Sequence, residues 1–473
     1  MSPDPSLSLQ SLSGLENFGH SLRSSAWLYQ PEQAGELPAL FKLARQQGLS
    51  IALRGSGRSY GDAALNSGQI VLDLRRLNRV LAWDPARGRI TVEPGVTIED
   101  LWNYVLADGW WPPVVPGTMF PTIGGCLSAN IHGKNNWVAG PIGEHVLEFS
   151  ALLPNGRRVT CTPRKNGGLF RAMIGGLGML GVFTSITLQL KPIESGRLEV
   201  NAWAEPNLDA MLAAIDTHKD RDYVVGWVDC TAGGRVLGRG QIHTARYLHA
   251  AEDPQAEASL RVDAQVLPAR MFGLVPRGWL PKLMAPFMNN LSVWAVNTAK
   301  YLASRTISHH KTYRQSLIEF NFLLDYIPGW ERSYGRDGLI QYQSFIPKAR
   351  AADAFAEILR LCQKAGLPSY LGVLKRHRPD PFLLTHALDG YSLALDFKVT
   401  PANRARLSAL AVELDEVVLG AGGRLYFVKD STLRAGSAKR FLGRRAVAEF
   451  KKLKTKTDPH NLLQSDLYRR WFD

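Results

Sequence analysis

Helical periodicity is confined to a few stretches of this chain. Short apolar runs separated by glycine, proline and asparagine dominate the rest. Residues 31–47 set Leu37, Leu40, Phe41, Leu43 and Ala44 on one side at helical spacing, which predicts a helix. Residues 97–106 predict a second, with Thr97 able to cap its amino end and Asp100 three residues on, close to a capping box. Residues 51–53, 70–74 and 89–94 are apolar runs of strand length. Asn155-Gly156 falls between apolar residues 147–153 and residues 158–162, a hairpin signal, and residues 182–190 alternate up to Lys191-Pro192. The part up to about residue 190 therefore predicts mixed α+β structure with many short strands, not a regular βαβ array.

From about residue 198 a second pattern begins, with strands expected at 223–230, 339–347 and 391–399 and helices at 351–365 and 401–419. Residues 422–473 return to dense basic and polar motifs, and no internal repeat is visible. One segment stands apart: residues 264–317 contain no acidic side chain. There Arg270, Arg277, Lys282, Lys300, Lys311 and Arg314 alternate with Met271-Phe272, Leu274-Val275, Trp279-Leu280, Leu283-Met284, Phe287-Met288, Trp294 and Tyr301-Leu302. Aromatic, Met and Leu side chains among basic ones suit a segment lying on a membrane interface. A basic helix pair packed on its own core is the alternative.

Composition narrows the classes. At 473 residues, 45% apolar and 21% charged, the chain can build two or more cored globular domains. Cys126, Cys161, Cys230 and Cys362 are far apart and form no CxxC pair, so neither a metal site nor a disulfide framework is expected. The polar stretch 1–10 lacks the basic and then apolar run of a signal peptide, and no apolar stretch approaches the ~18–20 residues of a spanning helix. A cytoplasmic location, or a peripheral one at a membrane, follows as the expectation. The net charge of +14 calls for a partner that accepts positive charge: nucleic acid, an anionic membrane surface or a phosphorylated ligand. No helix-turn-helix, zinc-finger or RNP pattern is present, so no nucleic-acid partner is expected.

The candidate chemistry lies in two glycine-rich loops about 55 residues apart. The first is Arg54, Gly55, Ser56, Gly57, Arg58, Ser59, Tyr60, Gly61 and Asp62. Tyr60 stands where GxGxxG needs glycine, and no Gly-Lys-Ser/Thr follows, so it is neither a Rossmann nor a Walker A loop. The second runs from Pro116 through Gly117, Thr118, Thr122, Ile123, Gly124 and Gly125 to Ala129, Asn130, Ile131, His132, Gly133, Lys134 and Asn135. Glycine clusters let backbone N–H groups approach a diphosphate. Two of them imply a cofactor larger than a mononucleotide, and the histidine places chemistry at the second.

Taken together, the loops resemble the FAD-binding domain of the vanillyl-alcohol-oxidase, or PCMH-type, superfamily. Ile131-His-Gly-Lys-Asn135, Gly175-Gly-Leu-Gly178 with Gly181-Val182, and Leu425-Tyr-Phe-Val-Lys-Asp-Ser431 resemble one branch of it, as do Gln341-Tyr-Gln343, Val373-Leu-Lys375 and Asp458-Pro459 with Ser465-Asp466. That branch is the decaprenylphosphoryl-β-D-ribose 2′-oxidases, and the resemblance runs from about Phe18 to Asp466. It implies an α+β fold: a PCMH-type FAD domain of two α+β subdomains (15–193), a substrate domain with an antiparallel sheet and helices (194–419) carrying the lipid-facing segment 264–317, and a closing segment (420–473). It also implies FAD lined by the first loop, by Gly117, Thr118, Thr122, Ile123, Gly124, Gly125, Ala129, Asn130, Ile131, His132, Gly133 and Asn135 of the second, and by Gly178, Val182 and Tyr426. Lys429 and His132 are the implied catalytic residues. Gln343, Lys375, Lys134 and Tyr60 would meet substrate.

Two departures carry expectations. Many sugar and aldonolactone oxidases of the superfamily hold a flavin-linking histidine just after the first glycine pair, where this chain has Arg58, so FAD should be bound non-covalently. Mycobacterial members of the branch carry a cysteine where Ala394 stands, so the pocket wall differs and no reactive thiol is expected there. The implied reaction is oxidation of the ribose 2′-hydroxyl of a polyprenyl-phosphoryl ribose, completed to the arabinose epimer by a separate short-chain reductase in bacterial envelope synthesis. A lysine near the hydroxyl can bind the developing alkoxide or, desolvated, accept its proton, and Lys429 and His132 both remain open as the base. Lys375, Arg376, His377 and Arg378 are read as a phosphate-facing group or, equally, a solvated basic turn. The alternatives are an oxidase of a soluble polyol or aldonolactone, and a non-catalytic membrane- or nucleic-acid-binding protein.

Overall fold

The computed structural model describes residues 6–271, 274–434 and 436–472; the start of the amino-terminal stretch discussed above (residues 1–5), Phe272 and Asp473 lie outside the described residues. Three sheets position the site. In the first, Leu12–Glu16 pairs antiparallel with Arg23–Tyr29, which runs parallel to Ile70–Asp73, itself parallel to Ile51–Arg54. The second is antiparallel, in the order Val80–Asp84, Arg89–Val92, Val182–Gln189, Val146–Leu152, Arg158–Cys161. The third has eight strands in the order Lys311–Ser316, Arg197–Glu205, Gly240–Tyr247, Tyr223–Val228, Leu371–His377, Gly390–Lys398, Leu339–Pro347, Arg424–Leu425. The fold is α+β, with the two early sheets built largely from the short strands expected before residue 190.

Local signals explain most boundaries. The first helix starts at Leu37, six residues later than its periodicity allows, because a 3-10 turn over Ala34–Glu36 precedes it and Pro38 suits only the first turn. Leu37, Leu40, Phe41, Leu43 and Ala44 are all buried. Thr97 and Asp100 close the capping box on Ile98–Val105: Thr97 N donates to Asp100 Oδ2 at 2.9 Å and Asp100 N to Thr97 Oγ1 at 3.0 Å. Gly156 takes φ +84° in the hairpin loop, a conformation costly for any residue with a Cβ. The helix expected at 401–419 is Arg404–Gly420, because Thr400 to Asn403 form a turn in which Thr400 N donates to Asn403 Oδ1 at 2.8 Å.

Among its described residues, segment 264–317 forms the small ribbon Arg270–Met271 with Val275–Pro276, the short helix Leu280–Met284, the helix Asn290–Thr306 and the edge strand Lys311–Ser316. The helix buries Val293, Asn297, Tyr301 and Ser304. Its polar anchor is Asp229, which accepts from Asn297 Nδ2 at 3.2 Å and pairs with Arg239 at 3.0 Å, while Arg239 also donates to Thr298. Trp279, Leu283, Phe287, Leu291, Trp294, Val296, Leu302 and Ile307 are exposed, so the segment does not fold onto a core of its own. Among the described residues no helix is long and apolar enough to cross a membrane.

Candidate active site

Period-two alternation puts one face of the third sheet over the two glycine loops. Gln341, Gln343 and Phe345 lie on that face of one strand, Ser392, Ala394 and Asp396 on the next, and Leu371, Val373, Lys375 and His377 on the third. Trp227, Val373, Ala394 and Gln343 stand opposite one another in a single row across four strands. Between this face and the loops lies a cavity of about 1020 Å³, at the upper end of the ~300–1,000 Å³ usual for small-molecule sites.

The first loop lines the cavity from Arg54 to Tyr60, and none of its backbone N–H groups from Gly55 to Tyr60 donates to another described residue. Arg58 Nε is buried without a partner in this half-buried loop, its guanidinium lying 5.0 Å from Phe18 and 5.1 Å from Phe120. Unpaired buried donors cost free energy unless a ligand meets them. A row of unpaired, half-buried N–H groups beside a cation suits a diphosphate. From the second loop, Gly117, Thr118, Thr122, Gly124, Gly125, Ala129, Ile131, His132 and Lys134 line the same cavity, joined by Gly178, Gln343, Lys375, Tyr426 and Lys429. A Cβ on Gly125 would meet only Thr122 Oγ1, at 3.1 Å, so the rest of its surroundings is open space.

Seven of the expected residues stand behind the lining. Gly61 packs against the Asp430 carbonyl, and the Asp62 carboxylate is spent on Arg470 at 2.7 Å. Ile123 is core and Val182 is paired in the second sheet opposite Leu152. Asn130 takes φ +43° where the helix Ile123–Ser128 ends, and its Oδ1 accepts from Gly143 N at 3.1 Å. Asn135 Nδ2 donates to Pro113 O at 2.8 Å, and a Cβ on Gly133 would strike Asn135 Oδ1 at 2.3 Å. These contacts shape the loops and leave the lining to their neighbours.

His132 is buried among rings: His377 at 4.8 Å, Tyr426 at 5.2 Å, His386 at 5.5 Å and Phe345 at 5.7 Å between centroids. Gln343 Nε2 lies 3.1 Å from His132 Nε2, and Tyr426 Oη donates to Ala129 O at 3.1 Å. Burial, aided by Lys375, His377, His386 and Lys429, holds the His132 imidazolium well below its usual range, so the ring is neutral. The amine of Lys429, at the end of the turn Phe427–Lys429, has no hydrogen-bond partner among the described residues and lies 5.5 Å from the Tyr60 ring and 5.7 Å from that of Tyr426. Burial lowers its pKa, with Asp396 opposing, while burial raises that of Asp396, whose Oδ1 accepts from Gln341. Burial and Lys429 push Lys375 down to about 7. Lys134 donates to the Phe320 and Asn321 carbonyls, and burial drives its pKa well down.

The basic run 375–378 divides. Lys375 lines the cavity, but Arg376 is buried against Asp216 at 3.0 Å and Asp389 at 2.6 Å, and Arg378 pairs with Glu144 at 2.6 Å. His377 is fully buried. Neither a phosphate-facing tetrad nor a solvated turn describes them: alternation along a buried strand sends Lys375 and His377 to one face and Arg376 to the other. Sequence reading also missed Asp325, whose Oδ1 accepts from Thr118 Oγ1 at 2.7 Å and Oδ2 from Met119 N at 2.8 Å, pinning the second loop; burial raises its carboxyl to about 6. No motif marks it. Ser392 and His377 could have been placed on the site face once Leu371–His377 was read as a strand.

Comparisons with known proteins agree with this geometry. A family model described as an FAD binding domain matches residues 26–162. Decaprenylphosphoryl-β-D-ribose oxidase of Mycolicibacterium smegmatis is 31% identical over 438 residues, 91% of each chain. An uncharacterized protein of Streptomyces coelicolor is 29% identical over 79% of this chain and 99% of its own length. L-gulonolactone oxidase of Mus musculus is 30% identical over 164 residues, 35% of this chain and 37% of its own. The unpaired loop donors, the cavity and a match along nearly the whole length converge: the chain belongs to the family of FAD-dependent, PCMH-type oxidoreductases acting on CH–OH groups that includes decaprenylphosphoryl-β-D-ribose oxidase and the aldonolactone oxidases.

Proposed function

We propose that this enzyme oxidises the 2′-hydroxyl of a polyprenyl-phosphoryl-β-D-ribose to the 2′-ketone, the first half of an epimerisation that a separate reductase completes. The observation that carries the reading is the mixed lining of the cavity. It combines the polar His132, Gln343, Lys375 and Lys429 with the apolar Leu283, Met284, Phe287, Met288, Val293 and Val296. A sugar with an anionic diester and a long hydrocarbon tail matches both kinds of lining. The similarity to an oxidase named for such a lipid, along 91% of the chain, supports it. The exposed apolar side chains beside Arg277 and Lys282 suit a peripheral membrane surface from which the tail enters.

FAD fits the loops, held by the N–H groups of Gly55 to Tyr60 and bordered by His132, Gly178 and Tyr426, without a covalent link because Arg58 replaces the attaching histidine. When bound, FAD supplies the acceptor for the hydride equivalent leaving the carbinol carbon. The protein must then take the hydroxyl proton. Lys429, partly neutral near neutral pH through its burial, and the neutral His132 are our candidates to meet the oxygen. Lys375, close enough to Lys429 to feel its charge, adds positive charge to the lining, which suits an alkoxide and a phosphodiester that both carry negative charge.

The soluble-sugar alternative rests on the partial similarity to L-gulonolactone oxidase. An anaerobic absorbance experiment separates the two. Farnesyl- or decaprenyl-phosphoryl ribose should bleach the flavin band, and acid precipitation should release the flavin. Bleaching by an aldonolactone or polyol, with none by the lipid sugar, assigns the soluble substrate instead.

A further inference from the structure

His132, Gln343, Ser392 and His377 form one hydrogen-bonded chain running away from the cavity. Gln343 Nε2 lies 3.1 Å from His132 Nε2 and 3.3 Å from Ser392 Oγ, and Ser392 Oγ lies 2.8 Å from His377 Nε2. All four side chains are buried, Ser392 and His377 completely. The strand registers bring them together: Phe345 and Lys375 both stand opposite Ser392, so Gln343 and His377 reach its hydroxyl from either flanking strand.

An amide nitrogen can only donate. With its two hydrogens directed at Ser392 Oγ and His132 Nε2, both of those atoms must accept. His132 Nε2 therefore bears no proton, and the neutral ring carries its hydrogen on Nδ1. The Ser392 hydroxyl, having accepted from Gln343, has one hydrogen left and His377 Nε2 beside it. Burial, His386, Lys375 and Arg376 keep His377 neutral, as an acceptor requires. Turning the Gln343 amide over would reverse every donor and move the His132 proton to Nε2. The tautomer of His132 thus reports the state of the chain.

We propose that His377 is a positioning residue: through Ser392 and Gln343 it fixes His132 in the Nδ1–H tautomer, with the Nε2 lone pair engaged by Gln343. His132 then has no free basic nitrogen, and the hydroxyl proton passes to the Lys429 amine. This rests on the reading that His132 and Gln343 face the reacting alcohol, but the tautomer itself does not.

The test uses the FAD-loaded enzyme labelled with [15N]histidine, the His132 signals being identified by their loss in His132→Gln. The wild type should show an unprotonated Nε2. His377→Phe and Ser392→Ala should show a mixture of tautomers, and His377→Gln, whose amide oxygen can accept from Ser392, should restore the single form. A wild-type ring protonated on Nε2, or an unchanged tautomer in His377→Phe, overturns the proposal. If His377→Phe does not fold, Ser392→Ala and His377→Gln decide the same question. Anaerobic flavin reduction by farnesylphosphoryl ribose should slow about tenfold in His377→Phe at unchanged half-saturation and recover in His377→Gln. A mixed tautomer with a wild-type rate overturns the positioning role. A wild type that this substrate does not reduce refutes the lipid-sugar reading alone, and the nitrogen spectra still decide the chain.

Discussion

Two regions of this protein take cations wholly or partly out of water and treat them in opposite ways. In the seam between residues 62 and 470, Arg470 lies 2.7 Å from both Asp62 and Asp430, and Lys454 lies 2.6 Å from Asp458 while also donating to the Met179 and Leu463 carbonyls. Around the cavity, Lys375 and Lys429 make no such pair among the described residues, and burial depresses the pKa of both. A matched buried charge holds segments together, whereas an unmatched one is a standing cost that a ligand must offset. The seam reads as architecture and the cavity as chemistry.

The sharpest way to break this contrast is to fill the cavity without touching any charge. Gly125→Val should yield a folded, colourless protein, because its side chain enters open space beside the loop; a yellow, stable variant would show that the second loop is not at the cofactor. Lys429→Met should keep its flavin and lose about 10²–10⁴-fold in the rate of anaerobic flavin reduction, the usual share of a positioned acid–base group. Wild-type reduction in that variant would remove Lys429 from the chemistry.

Arg470→Met should do the reverse, leaving Asp62 and Asp430 without their partner. A loss of about 3 kcal/mol in denaturant unfolding is expected, with the same residual chemistry per flavin bound. Lys375→Met should give the smallest effect, a gain of about 1 kcal/mol at neutral pH. Its sign follows from the proton count. Between about pH 7 and 10.5 the unfolded chain holds a proton that folded Lys375 has released, so wild-type stability from this group rises with pH across that window. In Lys375→Met that part of the rise should vanish from thermal midpoints measured from pH 7 to 9.

Much of this was legible in the chain itself. The two glycine loops, His132 and Lys429 are local strings, and a string survives whatever the distant contacts are. The capping box at Thr97 and the hairpin at Asn155-Gly156 are equally local. Strand Arg197–Glu205 alternates plainly, with Leu198, Val200, Ala202 and Ala204 buried, and was overlooked; Gly240–Tyr247 and Leu371–His377 were not read because glycine, polar and basic side chains interrupt their apolar positions. That omission hid the face shared by Lys375, Ser392 and Gln343, and it made 375–378 look like one basic turn. Asp62 misled in another way: it belongs to the loop in sequence, but its partner lies 408 residues away.

That last separation bears on how the protein is made. Asp62 is synthesised among the first residues and Asp430, directly after Lys429, among the late ones, yet both wait for the same guanidinium. Until the ribosome has passed Arg470, the first loop and the Lys429 turn lack the one charge that grips both, and only lighter contacts such as Ser59 Oγ to Val428 O join them. Flavin capture should therefore be a post-translational event, and nascent chains stopped short of residue 470 should be released without it.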